Sequence, residues 1–158
     1  MTAPAEPSRS QVRREREREQ ARALILSAAR DIARAEGWDA VTMRRLADEI
    51  GYSANYAYRY FSGREGILLA WVKDGYLRLA RMMREAGPSV HAAAGAYLDF
   101  GLDEPELYQV MYGLGGVHVP AASTVAEGDA VGAVIGGLLG IDDPDDDRIV
   151  RLWATVHG

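Results

Sequence analysis

The chain has 158 residues, of which 48% are hydrophobic and none is cysteine, so it can bury a core but forms neither disulfides nor thiolate metal sites. It contains no stretch of about 18 apolar residues and its first 30 residues are charged, which excludes membrane-span and signal-peptide patterns and predicts a cytoplasmic protein without a membrane partner. The net charge of −5 is unevenly spread: residues 1–64 carry +3 (12 Arg, 9 acidic) and residues 65–158 carry −8 (6 basic, 14 acidic), which favours a phosphate-facing N-terminal part.

Residues 1–20 are predicted to form a flexible arm of mixed charge. Residues 1–10 are rich in Pro, Ser and Ala, and residues 11–20 alternate Arg with Glu without an apolar face, so they could extend a helix but could not pack one. The arginines could enter a neighbouring DNA minor groove, but the glutamates between them dilute their charge, so a solvated, flexible extension is the favoured interpretation. These arginines are Arg9, Arg13, Arg14, Arg16 and Arg18.

A first packed helix is predicted from Ala21 to about Glu36. Its apolar residues recur three and four positions apart, and the pair Gly37-Trp38 that follows is typical of a helix end. A second helix of about two turns comes next. Thr42 is placed to cap its start, and Gly51 ends it by adopting a left-handed conformation.

A third and a fourth helix follow at short spacing. Ser53 is placed to cap the third helix, which is predicted to run to Tyr60 or Phe61. The sequence Ser-Gly-Arg-Glu at residues 62–65 has the capping-box pattern and opens a fourth helix that continues to about Glu85.

The second and third predicted helices, joined by a tight turn that contains a glycine, have the outline of a helix-turn-helix. Such a motif places the start of its second helix in the DNA major groove, although purely structural helical hairpins share the outline. The surface chemistry favours DNA, because Asn55 can bond adenine, Arg44 can bond guanine and tyrosines can bond phosphate. The alternative for the tyrosines is packing on neighbouring helices.

The sequence VTMRRLADEIGYS at residues 41–53, followed by YRYF at residues 58–61 and Arg64-Glu65, resembles the TetR family of bacterial repressors over about residues 21–70. Four positions depart from the family's usual residues, namely Tyr56, Ala57, Tyr60 and Arg64. The resemblance implies phosphate-side contacts by Thr42, Tyr58, Tyr60 and Arg64, and groove-side contacts by Arg44, Ala54, Asn55 and Tyr56. Arg45 and Ser53 complete the candidate DNA-binding set.

Residues 67–158 have helical patterns without strand alternation. Helices are predicted at residues 89–100, at residues 104–112 and from residue 147 onward, separated by glycine and proline signals. The segment 124–139 is rich in Gly, Ala and Val, and it is interpreted either as a close-packed helix or as an ordered loop.

This C-terminal half resembles a TetR-type ligand-binding domain that ends in a Trp/His/Gly signature, through residues 96–100, 104–112 and 153–158. The resemblance implies a homodimer, a small and mostly apolar effector, and a further stretch that completes a dimerisation bundle. We therefore expect either that the chain is truncated after Gly158 or that its dimer interface is unusual. Soft and aromatic side chains, which otherwise belong to the core, supply the candidate effector contacts. They are Trp71, Met82, Tyr97, Phe100, Tyr108, Met111, Tyr112, His118, Trp153 and His157.

Together these patterns predict an all-α protein with an arm at 1–20, a three-helix helix-turn-helix domain at 21–66, and a helical effector-binding and dimerisation domain at 67–158. The function expected from the resemblance is a repressor that binds a palindromic operator in double-stranded DNA as a dimer and is released by its effector. A helical protein-interaction module and an enzyme using histidines with acidic groups are the alternatives. The acidic run at 142–147 lacks the turn glycine and terminal glutamate of a calcium loop, so neither a metal nor a cofactor is expected.

Overall fold

The computed structural model describes residues 8–117, 119–143 and 146–157, without the side chains of Trp153, Val156 and His157. Within these ranges the chain forms α-helices and three single-turn 3₁₀ helices and no strand, so the predicted all-α class is confirmed. No helix in the described ranges is long and apolar enough to cross a membrane. The α-helices are α1 Arg9–Glu36, α2 Met43–Ile50, α3 Ala54–Tyr58, α4 Arg64–Glu85, α5 Val90–Asp103, α6 Pro105–Met111, α7 Val125–Leu139 and α8 Asp147–His157.

The chain divides into two compact units, and the division falls between Ile67 and Leu68 inside α4. The first unit therefore contains α1, α2, α3 and the first turn of α4. The second unit contains the rest of α4 together with α5 to α8.

Helix α1 is longer than the sequence pattern predicts, because it includes residues 9–20. Ser8 and Gln11 cap its start reciprocally: the Gln11 amide donates to Ser8 Oγ at 3.3 Å, and the Ser8 amide donates to Gln11 Oε1 at 2.6 Å. Arg13 adds an ion pair with Glu17 at 3.5 Å, one turn away. Residues 9–20 of the expected arm thus extend α1 as an exposed helix, since a segment without an apolar face can be helical when it is capped and continuous with a packed helix. Residues 1–7 of the arm lie outside the described residues.

The core of the first unit lies under one face of α1. Ile25 and Ile32 are buried there with alanines between them, and the small alanine side chains let the next helices approach closely. The other elements contribute Val41, Met43, Leu46, Ala47, Ala57, Phe61 and Ile67 to the same core. This packing orients α2 and α3 so that their opposite faces remain exposed.

The predicted ends of the first two helices are confirmed. Gly37 follows α1 with a φ of 84°, and Gly51 follows α2 in the left-handed conformation with a φ of 71°. At the start of α2, Thr42 Oγ1 accepts a hydrogen bond of 3.1 Å from the Arg45 amide.

Helix α3 is shorter than predicted. It ends at Tyr58 because the next amides bond carbonyls only three residues back: Arg59 to Tyr56 at 3.2 Å and Tyr60 to Ala57 at 3.1 Å. These bonds tighten the last turn. Ser53 occupies the predicted cap position but its side chain makes no capping hydrogen bond.

In the second unit, α6 packs closely on α4 at Gly75. A methyl group on Gly75 would lie 2.7 Å from Met111 Sδ and 3.1 Å from Leu107 Cδ2, so a larger residue there would force the Met111 and Leu107 side chains to shift. The contact is reinforced by Tyr76, whose hydroxyl donates to the Met111 carbonyl at 2.9 Å, and by the Arg78–Glu104 ion pair at 2.9 Å.

The glycine-rich segment 125–139 is a helix, which decides between the two interpretations left open by its composition. Gly136 is buried, and a side chain there would meet the Ile141 carbonyl oxygen at 2.7 Å. The segment is therefore a close-packed helix.

Replacing Gly75 with alanine is expected to destabilise the second unit by about 1–2 kcal/mol, because overpacking at Leu107 outweighs the gain in helix propensity. Gly95 on α5 provides the matched control, since a methyl group there has no described neighbour within 4 Å. G95A should stabilise by about 0.5–1 kcal/mol. Urea unfolding measures both variants, and a G75A protein as stable as G95A would contradict the packing at this position.

Candidate nucleic-acid interface and effector cavity

The exposed face of the α2–α3 pair presents polar side chains of the types that contact DNA. Arg44 on α2 and Asn55 on α3 are exposed, and Tyr58 is 55% exposed. Ala57 is fully buried and seats α3 on the core, while Ala54 is half-buried at the start of the helix. A cation, an amide and a phenol thus share one accessible surface.

Three tyrosines form a column along this pair of helices. The rings of Tyr52 and Tyr56 stack with their centroids 4.1 Å apart, and Tyr60 meets the Tyr56 ring edge-on at 5.2 Å. Loss of contact with water raises the pKa of Tyr56, and its hydrogen bond with Tyr60 acts in the same direction. Tyr56 and Tyr60 therefore pack against each other, as the alternative interpretation of the tyrosines expects. Tyr58 lies outside the column.

Arg45 is held by acidic partners of its own chain. Its guanidinium donates to Glu49 at 2.6 Å and to Glu36 at 3.0 Å, which joins α2 to the end of α1. These two hydrogen bonds, that with Glu49 first, raise the pKa of Arg45. Arg45 therefore braces α2 against α1, and its predicted contact with DNA stays a prediction.

Arg64 is also engaged within the first unit. Its Nη2 atom donates to the Trp38 carbonyl at 2.9 Å and to Asp39 Oδ1 at 3.0 Å, and the guanidinium lies 5.2 Å from the centre of the Trp38 ring. These bonds tie the first turn of α4 to the segment that follows α1. Thr42, another expected phosphate contact, is exposed but uses its hydroxyl as the cap of α2.

Arg22 is a site-forming residue that the sequence pattern does not identify. Its Nη1 atom donates to the Tyr60 carbonyl at 2.6 Å, and its guanidinium lies 4.2 Å from the centre of the Phe61 ring. Arg22 therefore clamps the end of α3 from α1. In the sequence, Arg22 is recognisable only as an arginine beside the apolar stripe of a helix. That pattern does not predict a bond to Tyr60, 38 residues away.

The second unit contains an apolar cavity of about 240 Å³. Apart from one tyrosine its wall is aliphatic or thioether, with no charged side chain. The lining residues are Met83, Val90, Ala93, Ala94, Tyr97, Leu98, Ile135, Leu138 and Leu152. Such a wall suits a neutral, apolar ligand.

Of the predicted effector contacts, the structure places Tyr97 in this wall. Trp71, Phe100 and Met111 are buried in the core, and Met82 is half-buried, but none of them lines the cavity. His118 lies outside the described residues, as do the side chains of Trp153 and His157.

Tyr108 and Tyr112 form an aromatic cluster with Tyr97 instead of lining the cavity. The Tyr97 hydroxyl donates to the Tyr108 hydroxyl at 3.2 Å, and the Tyr108 and Tyr112 ring centroids are 4.7 Å apart. Burial raises the pKa values of Tyr97 and Tyr112 above the ordinary tyrosine range. Tyr97 and Tyr112 therefore keep their hydroxyl protons at neutral pH.

Comparison with known proteins identifies both units. The family described as "Bacterial regulatory proteins, tetR family" matches residues 25–71, and the description "Tetracyclin repressor-like, C-terminal domain" matches residues 90–158. The chain belongs to the TetR family of transcriptional regulators. The predicted family is confirmed, and the Trp/His/Gly type stays a prediction.

Individual relatives of this TetR-family chain are regulators or share its fold. The HTH-type transcriptional repressor AcnR of Corynebacterium diphtheriae is 32% identical over 63 residues, which are 40% of this chain and 33% of AcnR. The chain thus covers a third of the length of that curated relative.

Solved structures extend the likeness to most of the chain. The regulatory protein SCO4313 is 27% identical with a TM-score of 0.68, covering 87% of this chain and 70% of that one. A Rhodococcus sp. RHA1 protein of unknown function is 28% identical with a TM-score of 0.70, covering 87% and 79%. A TetR-family regulator from Streptomyces coelicolor, 22% identical with a TM-score of 0.61 over 86% and 78%, has the same fold.

Replacing Arg22 with methionine, which keeps most of the apolar stem, is expected to free the end of α3. Loss of a charge-assisted hydrogen bond and of a cation–π contact should cost about 2 kcal/mol locally, equivalent to about 30-fold faster hydrogen exchange of the α3 amides. R16M, on an exposed position of the same helix, is the control. Equal exchange rates in the two variants would show that Arg22 does not hold α3.

Proposed function

We propose that this TetR-family chain is a repressor that binds a palindromic DNA operator as a homodimer and leaves it when a small apolar effector enters the cavity of the second unit. The observation that carries the proposal is the exposed set Arg44, Asn55 and Tyr58 on a braced helix-turn-helix. The sequence similarity to the repressor AcnR, which falls on 63 residues, supports the direction of regulation.

The proposed reading of DNA divides the exposed side chains by chemistry. Arg44 donates to guanine and Asn55 forms paired bonds with adenine, whereas Tyr58 contacts the phosphate backbone. Arg45 and Arg64 stabilise the motif, because Arg45 donates to Glu49 and Glu36 and the Nη2 atom of Arg64 donates to Trp38 and Asp39. In a dimer, two such motifs read half-sites about 34–36 Å apart.

Selection of bound duplexes from a random pool tests operator recognition directly. The expected product is an inverted repeat whose affinity falls steeply with salt, because each neutralised phosphate releases counterions. Failure of the chain to retain any duplex at low salt would overturn the proposal.

On the selected duplex, R44A and N55A should each lose about 1–3 kcal/mol of binding free energy, roughly tenfold to a hundredfold in affinity, and relax the preference at one base pair. R45A removes a cation from the same helix but breaks only exposed ion pairs, so it should lower affinity by less than about threefold. Fluorescence anisotropy measures all three. If R45A lowers the affinity for the duplex as much as R44A does, Arg45 contacts the DNA.

The effector is proposed to be neutral because the cavity offers no charged partner, and to be small because the volume is about 240 Å³. A protein cavity of about 150 Å³ accepts benzene, so naphthalene is a suitable probe here. Naphthalene should raise the melting temperature of the chain and weaken operator binding, and negatively charged 1-naphthoate should do neither.

A94W should abolish both responses, because its indole fills the cavity from α5. L102W is the matched control, since Leu102 is on the same helix, is 78% exposed and does not line the cavity. Naphthalene binding that survives in A94W would exclude this cavity as the effector site.

A further inference from the structure

The N-terminal extension of α1 carries a row of arginines in line with the buried face of the helix. Arg14 and Arg18 are followed by the buried residues Ala21 and Ile25, so the spacing of four, three and four residues continues one helical stripe. Inside the first unit this stripe packs on the helix-turn-helix. Before Ala21 the stripe has no core beneath it, and arginines occupy the positions that apolar residues take further on.

The arginines of this row lack acidic partners among the described residues. Arg13 is paired with Glu17, whereas neither Arg14 nor Arg18 forms an ion pair or a side-chain hydrogen bond within the described ranges. Two like charges four residues apart destabilise a helix slightly. An anionic partner on the side of the helix-turn-helix would remove that cost.

The row leads directly to the proposed DNA-reading motif. Arg22 is four residues beyond Arg18 and donates to the Tyr60 carbonyl at the end of α3. With a rise of about 1.5 Å per residue, Arg18 and Arg14 lie about 6 and 12 Å further along the axis, a span of two to four base pairs.

We propose that Arg14 and Arg18 bind phosphates of the DNA backbone outside the half-site and so extend the footprint of the proposed operator complex. The inference rests on the proposed function. Contact with the phosphates is favoured over the minor-groove insertion considered for a flexible arm. An α-helix about 10–12 Å wide does not enter a minor groove about 6 Å wide. The extension also lacks an apolar face, which a membrane-binding helix requires.

The decisive measurement is the salt dependence of binding to the selected duplex, with the chain carrying R14Q and R18Q together. On a duplex with six flanking base pairs at each end, the slope of log affinity against log salt should fall by about 2 per bound chain. On a duplex trimmed to the half-sites, wild-type and variant chains should have the same slope. Glutamine keeps the helix propensity of arginine, and circular dichroism verifies that the helix content is unchanged.

Two further double variants separate local contact from general charge. R13Q and R16Q together remove the same charge from the opposite side of the extension and should leave the slope unchanged. R14K and R18K together keep the charge and should keep the wild-type slope. An equal loss in the R13Q, R16Q protein, or no loss in the R14Q, R18Q protein, would overturn the inference while operator binding stands.

Two other results also count against the inference. If the wild-type chain binds no duplex at all, the proposed function fails and this inference fails with it. If the R14Q, R18Q protein keeps its duplex slope but loses binding to phosphatidylglycerol vesicles, the row belongs to a membrane surface instead of DNA.

Discussion

Helix α3 contains five residues, far fewer than the dozen or so that a helix needs to be stable in water by its own hydrogen bonds. Its conformation therefore depends on contacts from outside. Ala57 is fully buried against the core, Arg22 holds the Tyr60 carbonyl at 2.6 Å, and Tyr52 stacks on Tyr56 at 4.1 Å. These three contacts, made by α3 and the residues that flank it, fix the orientation of the helix. They therefore determine which of its polar side chains face the solvent.

This dependence divides the cations of the first unit into two groups. Arg22, Arg45 and Arg64 each bond acceptors of the chain itself and join α1, α2 and the start of α4. Arg44 remains exposed on the surface that these bonds create. A count of positive charge along the sequence does not distinguish the two groups. The planar guanidinium of arginine can bond acceptors within the protein or groups of the DNA. The exposed pairs of Arg45 contribute little to stability individually, so their consequence is mainly geometric.

The parts of this fold that follow from local sequence were predictable, and the parts that depend on distant partners were not. Gly37 and Gly51 end helices because of their own backbone freedom, and Thr42 caps α2 through an amide three residues away. The partner of Arg22 is 38 residues away, and no local pattern encodes it. For the extension before Ala21 the sequence left open whether a helix forms, because amphipathicity reports whether a helix packs, whereas capping and continuity with a packed helix decide whether it forms.

Aromatic residues indicated the apolar cavity of the second unit only in part, because three of the candidates are tyrosines that contact one another. A buried hydroxyl requires a hydrogen-bond partner, so tyrosines gather into clusters that fill space, as Tyr97 and Tyr108 do at 3.2 Å. The cavity lies instead beside short aliphatic side chains such as Ala93 and Ala94. Tyr97 belongs both to the cluster and to the wall, and it contacts Tyr108 on α6 through its hydroxyl. Helix α6 is in turn bonded to α4, because the Met111 carbonyl accepts a hydrogen bond from the Tyr76 hydroxyl, so the wall residue Tyr97 and the α4–α6 contact belong to one packed group of side chains in the second unit.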